Sequence, residues 1–443
     1  MYIKLQNVGA IKEATVDLTG LSVIAGKNGT GKSTIGKTVY TIIKSVQEQD
    51  KIVAKKQKDF IEWACKNIYF QLQGSIATAA NAKKIVSADS ELLESTFQYG
   101  AFEQQLTQHV FEEKKLNVAY ALIDSRIAAV DSFSEIVDTE TKLKIKEILV
   151  TIKTRLAPID TSTALKDSLL FMYQKVFDAQ INNLKSHLTS NVDFGGLLKY
   201  SVSNNADTMP FADRLNITSA DPQIQQKVFQ DATFVETPLV LQVENVRDTE
   251  NLPTYWIDLL RKVSMQSVDS TLQNNAIKEA IADISNALGG SLEYNTNRRR
   301  FEFIKKDFNN GANVFVSNAA SGEKILGIFQ QLALKGMFGP DKILILDEPE
   351  NHLHPEWLAV LAEVLVKLAV AKCPILITSH SPDLLQAIRF YAKKHGLAQL
   401  KMYLADPQTH TLEDKTGKEY EIFQNLAEPI NEIFSFSVSE ALA

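Results

Sequence analysis

Two short runs, far apart in the chain, carry residue types that together could do phosphate chemistry. The first is Gly26-Lys27-Asn28-Gly29-Thr30-Gly31-Lys32-Ser33, followed by Thr34. It fits the spacing G-x-x-x-x-G-K-[ST]. Phosphate oxygens are best approached by several backbone N–H groups at once. Cβ atoms block that approach, so glycines belong at the tight positions. A helix beginning at Lys32 adds its partial positive end. Lys32 can reach terminal phosphates, and Ser33 can offer its hydroxyl oxygen to Mg²⁺. The second run is Ile343-Leu344-Ile345-Leu346-Asp347-Glu348-Pro349-Glu350, an apolar strand ending in acids. Asp347 stands where open α/β sheets bind ligands, and would hold Mg²⁺ through water. Glu348, one residue on, can polarise an attacking water as general base. A plain acidic strand end is the common alternative. It loses here because the phosphate loop needs such a partner.

The elements that must position these groups follow from patterning. Tyr2–Leu5, Ala14–Leu18 and Leu21–Ala25 read as strands, the last as a buried central one. A helix is expected from Lys32 to about Val46. Residues 51–230 are rich in Gln, Lys, Ala, Glu and Leu at helical spacing, with Asn117–Leu156 and Leu165–Leu188 the clearest stretches. Ser201–Asp221 reads as a loop region. Phe234-Val235 and Leu239-Val240-Leu241 return to strand character, and Tyr255–Leu288 to helix. Leu292–Tyr294, Arg300–Ile304 and Asn313–Val316 form a small antiparallel meander. Lys342–Leu346, a helix over Pro355–Lys372 and Pro374–Thr378 make a strand-helix-strand unit of a parallel sheet. Near the end, Leu400–Leu404 reads as a strand, before a hairpin-like stretch and an apolar tail, Ile430–Ala443.

With these residues in place a resemblance can be stated. Gly26–Ser33 looks like a Walker A motif and Leu344–Glu348 like a Walker B. Asn318-Ala319-Ala320-Ser321-Gly322-Glu323-Lys324, before an apolar helix, resembles an abbreviated ABC signature. Asp347-Glu348-Pro349-Glu350-Asn351-His352-Leu353-His354-Pro355 is close to the corresponding run of the OLD-type and related AAA-15/AAA-21 ATPases. Ile377-Thr378-Ser379-His380-Ser381-Pro382 resembles their switch-histidine motif. The chain is thereby similar to the ABC-ATPase branch that includes the RecF and SMC heads. The implied fold is an α/β P-loop NTPase of ABC-ATPase type, a mixed sheet core with an antiparallel β-subdomain and a large helical insertion. Residues 1–50 and 231–443 would build the ATPase head, and 51–230 the mainly helical insertion, the expected recognition region.

The resemblance implies ATP and Mg²⁺ as ligands. It gives Gly26 to Thr34 to the nucleotide, Ser33 and Asp347 to the metal, and Lys32, Glu348 and His380 to catalysis. Ser321, Gly322 and Glu323 would reach the nucleotide of a second protomer, so a homo-oligomer, at least a dimer, is expected, with ATP as the glue. Taken alone, Ser321-Gly322 is also an ordinary helix cap, and His380 an ordinary satisfied histidine. His352, His354 and Glu350 could suggest a metal site, but the family run explains them as interface residues. Arg298-Arg299-Arg300 reads most simply as a solvated turn, with phosphate-backbone contact the minority reading. None of Gln71, Gln73, Gln98 and Gln242 stands out as the family's Q-loop glutamine.

Composition bounds the partners. The 443 residues carry 47 Lys+Arg against 53 Asp+Glu, a net charge of −6, which disfavours a globally basic nucleic-acid binder. Cys65 and Cys373 are too few for a disulfide framework or a four-cysteine zinc site. The start of the chain has no apolar signal core, and Trp357–Ala371 is too short and too charged to span a bilayer. A cytoplasmic protein without membrane contact is expected. The stretch after His380 is too short for the TOPRIM nuclease that OLD proteins carry. Stand-alone ATPases of this form resemble the ATPase subunits of bacterial antiphage systems such as Septu, PARIS and retron-linked modules. That implies a separately encoded effector, a nuclease or toxin, and a phage protein or DNA as trigger. The alternatives are a RecF-like DNA-repair ATPase and, less well matched, a transporter ATPase subunit.

Overall fold

A computed structural model of the chain describes residues 1–81, 100–132, 137–178, 180, 188–203, 214–243, 252–267, 274–305, 312–351 and 353–428. Gln98, His352 and the apolar tail Ile430–Ala443 lie outside the described residues, as does part of Ser201–Asp221. The chain divides into two compact units, one of Met1–Gln47 with Leu169–Ala443, the other of Glu48–Ser168.

The first unit opens with three strands, β1 (Tyr2–Val8), β2 (Ile11–Asp17) and β3 (Leu21–Gly26), followed by helix α1 (Lys32–Gln47). β1 and β2 form a hairpin whose inward residues, among them Ile3, Leu5, Ala14 and Val16, are buried. The chain returns to this hairpin much later: β4 (Ser190–Phe194), β5 (Leu198–Val202) and β6 (Leu215–Ala220) complete a five-stranded antiparallel sheet in the order β2-β1-β4-β5-β6. This corrects the expected insertion boundary at 230 and, over Leu215–Ala220, the loop reading of Ser201–Asp221. The alternation in β4 and β5 is present but spans only five residues each, and β4 is rich in Ser, Asn and Asp, so pairing contributes more than propensity to making them strands.

The second sheet is the core. Its strands are β7 (Asp231–Val235), β11 (Lys342–Asp347), β12 (Ile375–Ser379), β3, β13 (Leu400–Ala405) and β14 (Leu412–Asp414). Between β7 and β11 in sequence come β8 (Gly290–Asn295), β9 (Arg300–Lys305) and β10 (Ala312–Phe315), a separate three-stranded antiparallel meander. The core order is β14-β13-β3-β12-β11-β7, parallel throughout except for β14. β3 and β12 are buried along their whole length, which explains their unbroken apolar runs. Leu239-Val240-Leu241, expected as strand, is instead a 3₁₀ turn over Pro238–Gln242, because Pro238 starts a helical turn and cannot donate to a ladder.

The described residues of the unit Glu48–Ser168 are mainly helical, as its composition predicts: α2 (Gln49–Asn81), α3 (Ala101–Thr107), α4 (Leu116–Ser132), α5 (Thr139–Leu156) and the first turns of α6 (Thr161–Phe177). Its core is built on helical spacing. Ile61, Ala64, Ile68 and Leu72 of α2 meet Ile123 and Val130 of α4 and Ile145, Leu149, Ile152 and Leu156 of α5. Asp138 starts α5 by accepting from the Thr141 N–H.

In the first unit the expected helix over Tyr255–Leu288 is two, α7 (Thr254–Ser264) and α8 (Asn275–Leu288). They are followed by α9 (Ser321–Leu334), α10 (Pro355–Val370) and α11 (Pro382–Lys394). α8 to α11 bury their apolar faces in one large cluster with β3, β11, β12 and the meander. α1 lies close on the core sheet. A Cβ on its Gly36 would come within 3.0 Å of Ile345 and 3.1 Å of Phe234. The consequence for chemistry is the alignment of strand ends: Ser379 pairs with Ala25 and Asp347 with Thr378, so three carboxyl ends open side by side.

Candidate functional site

The loop after β3 is shaped by its glycines. Gly29 and Gly31 have φ of +79° and +86°, conformations that L side chains avoid. At Gly31 a Cβ would also lie 2.9 Å from Ile11 of the hairpin. The Lys32 amine is folded into the loop. It donates to the carbonyls of Gly26 at 2.9 Å and Lys27 at 3.0 Å, and is 4% exposed. Burial pulls its pKa below the usual lysine value, with Glu348, Asp347 and Glu350 pulling the other way. Thr30 caps the loop by donating to the Lys27 carbonyl at 2.9 Å. Asn28 and Gly29 are exposed at its rim. Lys27 faces Glu428 at 3.8 Å. Thr34 packs beneath Gly9, where a Cβ would meet it at 3.0 Å.

The acids stand opposite. Ser33 Oγ donates to Asp347 Oδ1 at 2.9 Å, and Thr378 Oγ1 donates to the same oxygen. Burial raises the Asp347 pKa, and these two hydroxyls act against that rise. Glu348 sits at φ +50°, a left-handed conformation that costs a non-glycine residue about 1 kcal/mol. Its N–H is tied to the Thr378 carbonyl at 3.0 Å. The turn throws its side chain back towards the loop. Glu348 Oε1 lies 3.8 Å from the Lys32 amine and 3.4 Å from His380 Nδ1. Lys32, Ser33, Asp347, Glu348 and His380, drawn from both extremes of the sequence, therefore share one site.

Ser321, Gly322 and Glu323 belong elsewhere. They open α9, and no hydrogen bond or ion pair among the described residues joins them to Gly26–Ser33. Glu323 closes the helix start by accepting from the Ala320 N–H at 3.0 Å and pairs with Lys305. Gly322 is glycine for a packing reason: a Cβ there would lie 2.5 Å from the Trp357 ring. Arg298 pairs with Glu302, and Arg300 stacks 3.8 Å above Phe315, so the basic cluster is partly spent within its own hairpin.

Sequence reasoning misses Glu236. It follows β7, the neighbour of β11, and Val235 pairs with Leu346, so Glu236 emerges beside Asp347. Its carboxylate accepts from Lys37 at 3.0 Å, Tyr255 at 3.0 Å and Trp256 at 3.1 Å. Burial works against the Lys37 charge, but Glu236 outweighs it and holds that pKa above the usual value. Burial, with Glu236 nearby, pushes the Tyr255 hydroxyl up to about 12. Behind this cluster, Lys44 of α1 and Lys262 of α7 share Asp231 and Asp258 at 2.6–3.0 Å, fastening α1, β7 and α7 together. Gln71 and Gln73, weighed as Q-loop candidates, lie on α2, and Gln242 ends the 3₁₀ turn after Glu236. No local signal marks Glu236, which follows a strand only five residues long.

The donor set suits magnesium. A hydroxyl and a carboxylate oxygen converge at Ser33 and Asp347, and among the described residues no group of three His, Cys, Asp or Glu is arranged to hold a metal ion by itself. Mg²⁺ takes one or two protein oxygens and completes its shell from phosphates and water. Among the described residues no helix is long and apolar enough to cross a membrane.

The family model described as AAA ATPase domain, AAA_15, matches residues 1–385. Solved structures with a similar course include the SMC head domain from Thermotoga maritima, at 10% identity and a TM-score of 0.36, covering 93% of this chain and 97% of that one. A second is an SMC head bound to the C-winged helix domain of ScpA, at 10% identity and a TM-score of 0.38, covering 93% and 96%. A comparison with curated proteins finds no match.

Proposed function

The chain belongs to the AAA ATPase domain family and is an ATPase, and we propose that hydrolysis takes place where the loop after β3 meets the end of β11. The observation that carries this reading is the Ser33 Oγ to Asp347 Oδ1 bond at 2.9 Å, which joins residues 314 positions apart. Backbone N–H groups of Gly29 to Ser33 cradle the phosphates. Lys32 exchanges the Gly26 and Lys27 carbonyls for phosphate oxygens, a trade that a buried amine makes readily because the loop already neutralises little of its charge. Ser33 and Asp347 are the residues that would hold Mg²⁺, which would offset negative charge on the phosphates. Glu348 orients the attacking water and accepts its proton. His380, from the neighbouring strand end, senses the γ-phosphate.

Ser321 and Gly322 reach the nucleotide of a second copy, so ATP closes a dimer and hydrolysis loosens it. The nucleotide-dependent assembly governs a separately encoded effector in an antiphage system, with the helical unit Glu48–Ser168 as the recognition part. What supports this is the family resemblance and the presence in the same chain of a helical unit with its own core. A RecF-like DNA-binding role is the competing reading.

Calorimetry with magnesium and ATP tests the site: wild type takes up nucleotide, and Lys32→Ala loses at least about tenfold in affinity. Glu348→Gln is expected to bind ATP, stop turning over, and accumulate as an oligomer. Pull-down with that variant and ATP separates the roles. A captured nuclease or toxin supports defence, whereas salt-dependent DNA binding by the isolated protein supports repair.

A further inference from the structure

We propose that Glu350 is the positioning residue for His380: its carboxylate sets where the imidazole stands and which ring nitrogen is left for the nucleotide. The inference rests on His380 acting at the γ-phosphate, as read above.

Glu350 is 7% exposed, and a buried carboxylate is tolerated only when it is bonded. Its Oε1 accepts from Ser379 Oγ at 2.6 Å and from the His380 N–H at 3.0 Å. Ser379 Oγ in turn accepts from the Ser381 N–H at 3.0 Å. One carboxylate oxygen thus organises the whole exit of β12, and ties it to the turn after β11. Two atoms beside it are not yet used. Glu350 Oε2 and His380 Nδ1 are both buried and without a hydrogen-bond partner among the described residues. His380 Nδ1 lies 3.6 Å from Glu350 Oε1 and 3.4 Å from Glu348 Oε1, just outside bonding geometry. A small turn of the ring closes an Nδ1–H bond to Glu350. That bond keeps the proton on Nδ1 and leaves Nε2 facing the phosphate. Glu348 is poorly suited to the task, because it faces Lys32 and accepts from Asn351 at 3.3 Å, and its proposed partner is water. The two glutamates therefore divide the work: Glu348 serves the water and Glu350 the imidazole.

Glu350→Gln keeps an amide oxygen for Ser379 and the His380 N–H but removes the charge. We expect an unchanged magnesium–ATP affinity and KM, with kcat lower by at least about tenfold. In a His380→Ala background the same substitution should cost little more, because its target is gone. Equal losses in both backgrounds, or a kcat within about twofold of wild type, overturn the proposal. Spectra of ¹⁵N-histidine-labelled protein give a second readout: His380 carries its proton on Nδ1 in wild type and loses that preference in Glu350→Gln. Should the variant fail to fold, the wild-type spectrum decides, and a proton on Nε2 with bare Nδ1 overturns the proposal. If wild type takes up no magnesium–ATP, the nucleotide reading itself fails. If it binds and hydrolyses ATP while Glu350→Gln matches it, this inference alone falls.

Discussion

Asp347 is asked to be charged in a place that resists charge. Burial raises its pKa above the ordinary value of 3.8, so the folded chain holds that proton more tightly than the unfolded chain does. Its contribution to stability is therefore present at low pH and is lost as pH rises through the raised pKa. At neutral pH the ionised Asp347 weakens the nucleotide-free protein. Asp347→Asn should melt at a higher temperature than wild type at pH 7, with the advantage shrinking as pH falls into the carboxylate range. The same variant should lose at least about a hundredfold in turnover, since the proposed magnesium site would lose its anionic ligand. Thermal melts across pH check the first half and phosphate release the second; an Asn variant that melts lower at pH 7 contradicts the account. Gly31 carries a different constraint. Gly31→Ala must accept φ near +86° and a contact with Ile11, so it should lose about 1–2 kcal/mol of stability and most nucleotide binding, read by melting and calorimetry.

At the level of elements, α9 and α10 meet through the missing side chain at Gly322. Gly322→Ala forces a methyl against the Trp357 ring and should destabilise by about 1–3 kcal/mol. Trp357→Leu in the same chain should restore the melting temperature. Failure of that rescue would show that glycine is needed there for another reason. The elements also show what the sequence makes legible. The loop and the acidic strand end are readable because their requirements are local: glycines at positive φ, a lysine at a helix start, acids after a run of buried aliphatics. The central strands β3, β11 and β12 announce themselves through buried, largely aliphatic runs. The five-stranded sheet does not, because β4, β5 and β6 are short and stabilised by pairing back to β1 across a long separation in sequence. Glu236 is hidden for the same reason. Nothing near it in sequence marks it, and only the pairing of β7 with β11 brings it beside Asp347.

For the whole molecule, the proposed dimer makes a prediction that no single chain can mimic. Lys32→Ala and Ser321→Arg should each be inactive alone. Mixed in equal amounts, half the dimers would be mixed and each would hold one intact site, restoring roughly a quarter of wild-type turnover. No recovery on mixing, with both variants folded, argues for a site complete within one chain. Strand order carries a further consequence, for how the protein is made. β3 is synthesised among the first thirty residues, yet its two neighbours, β12 and β13, begin at Ile375 and Leu400. On the ribosome this buried strand must wait with both edges bare until those residues leave the exit tunnel. Prematurely terminated chains cannot assemble a working centre, and the nascent protein is a natural client for chaperones that shield unpaired strands.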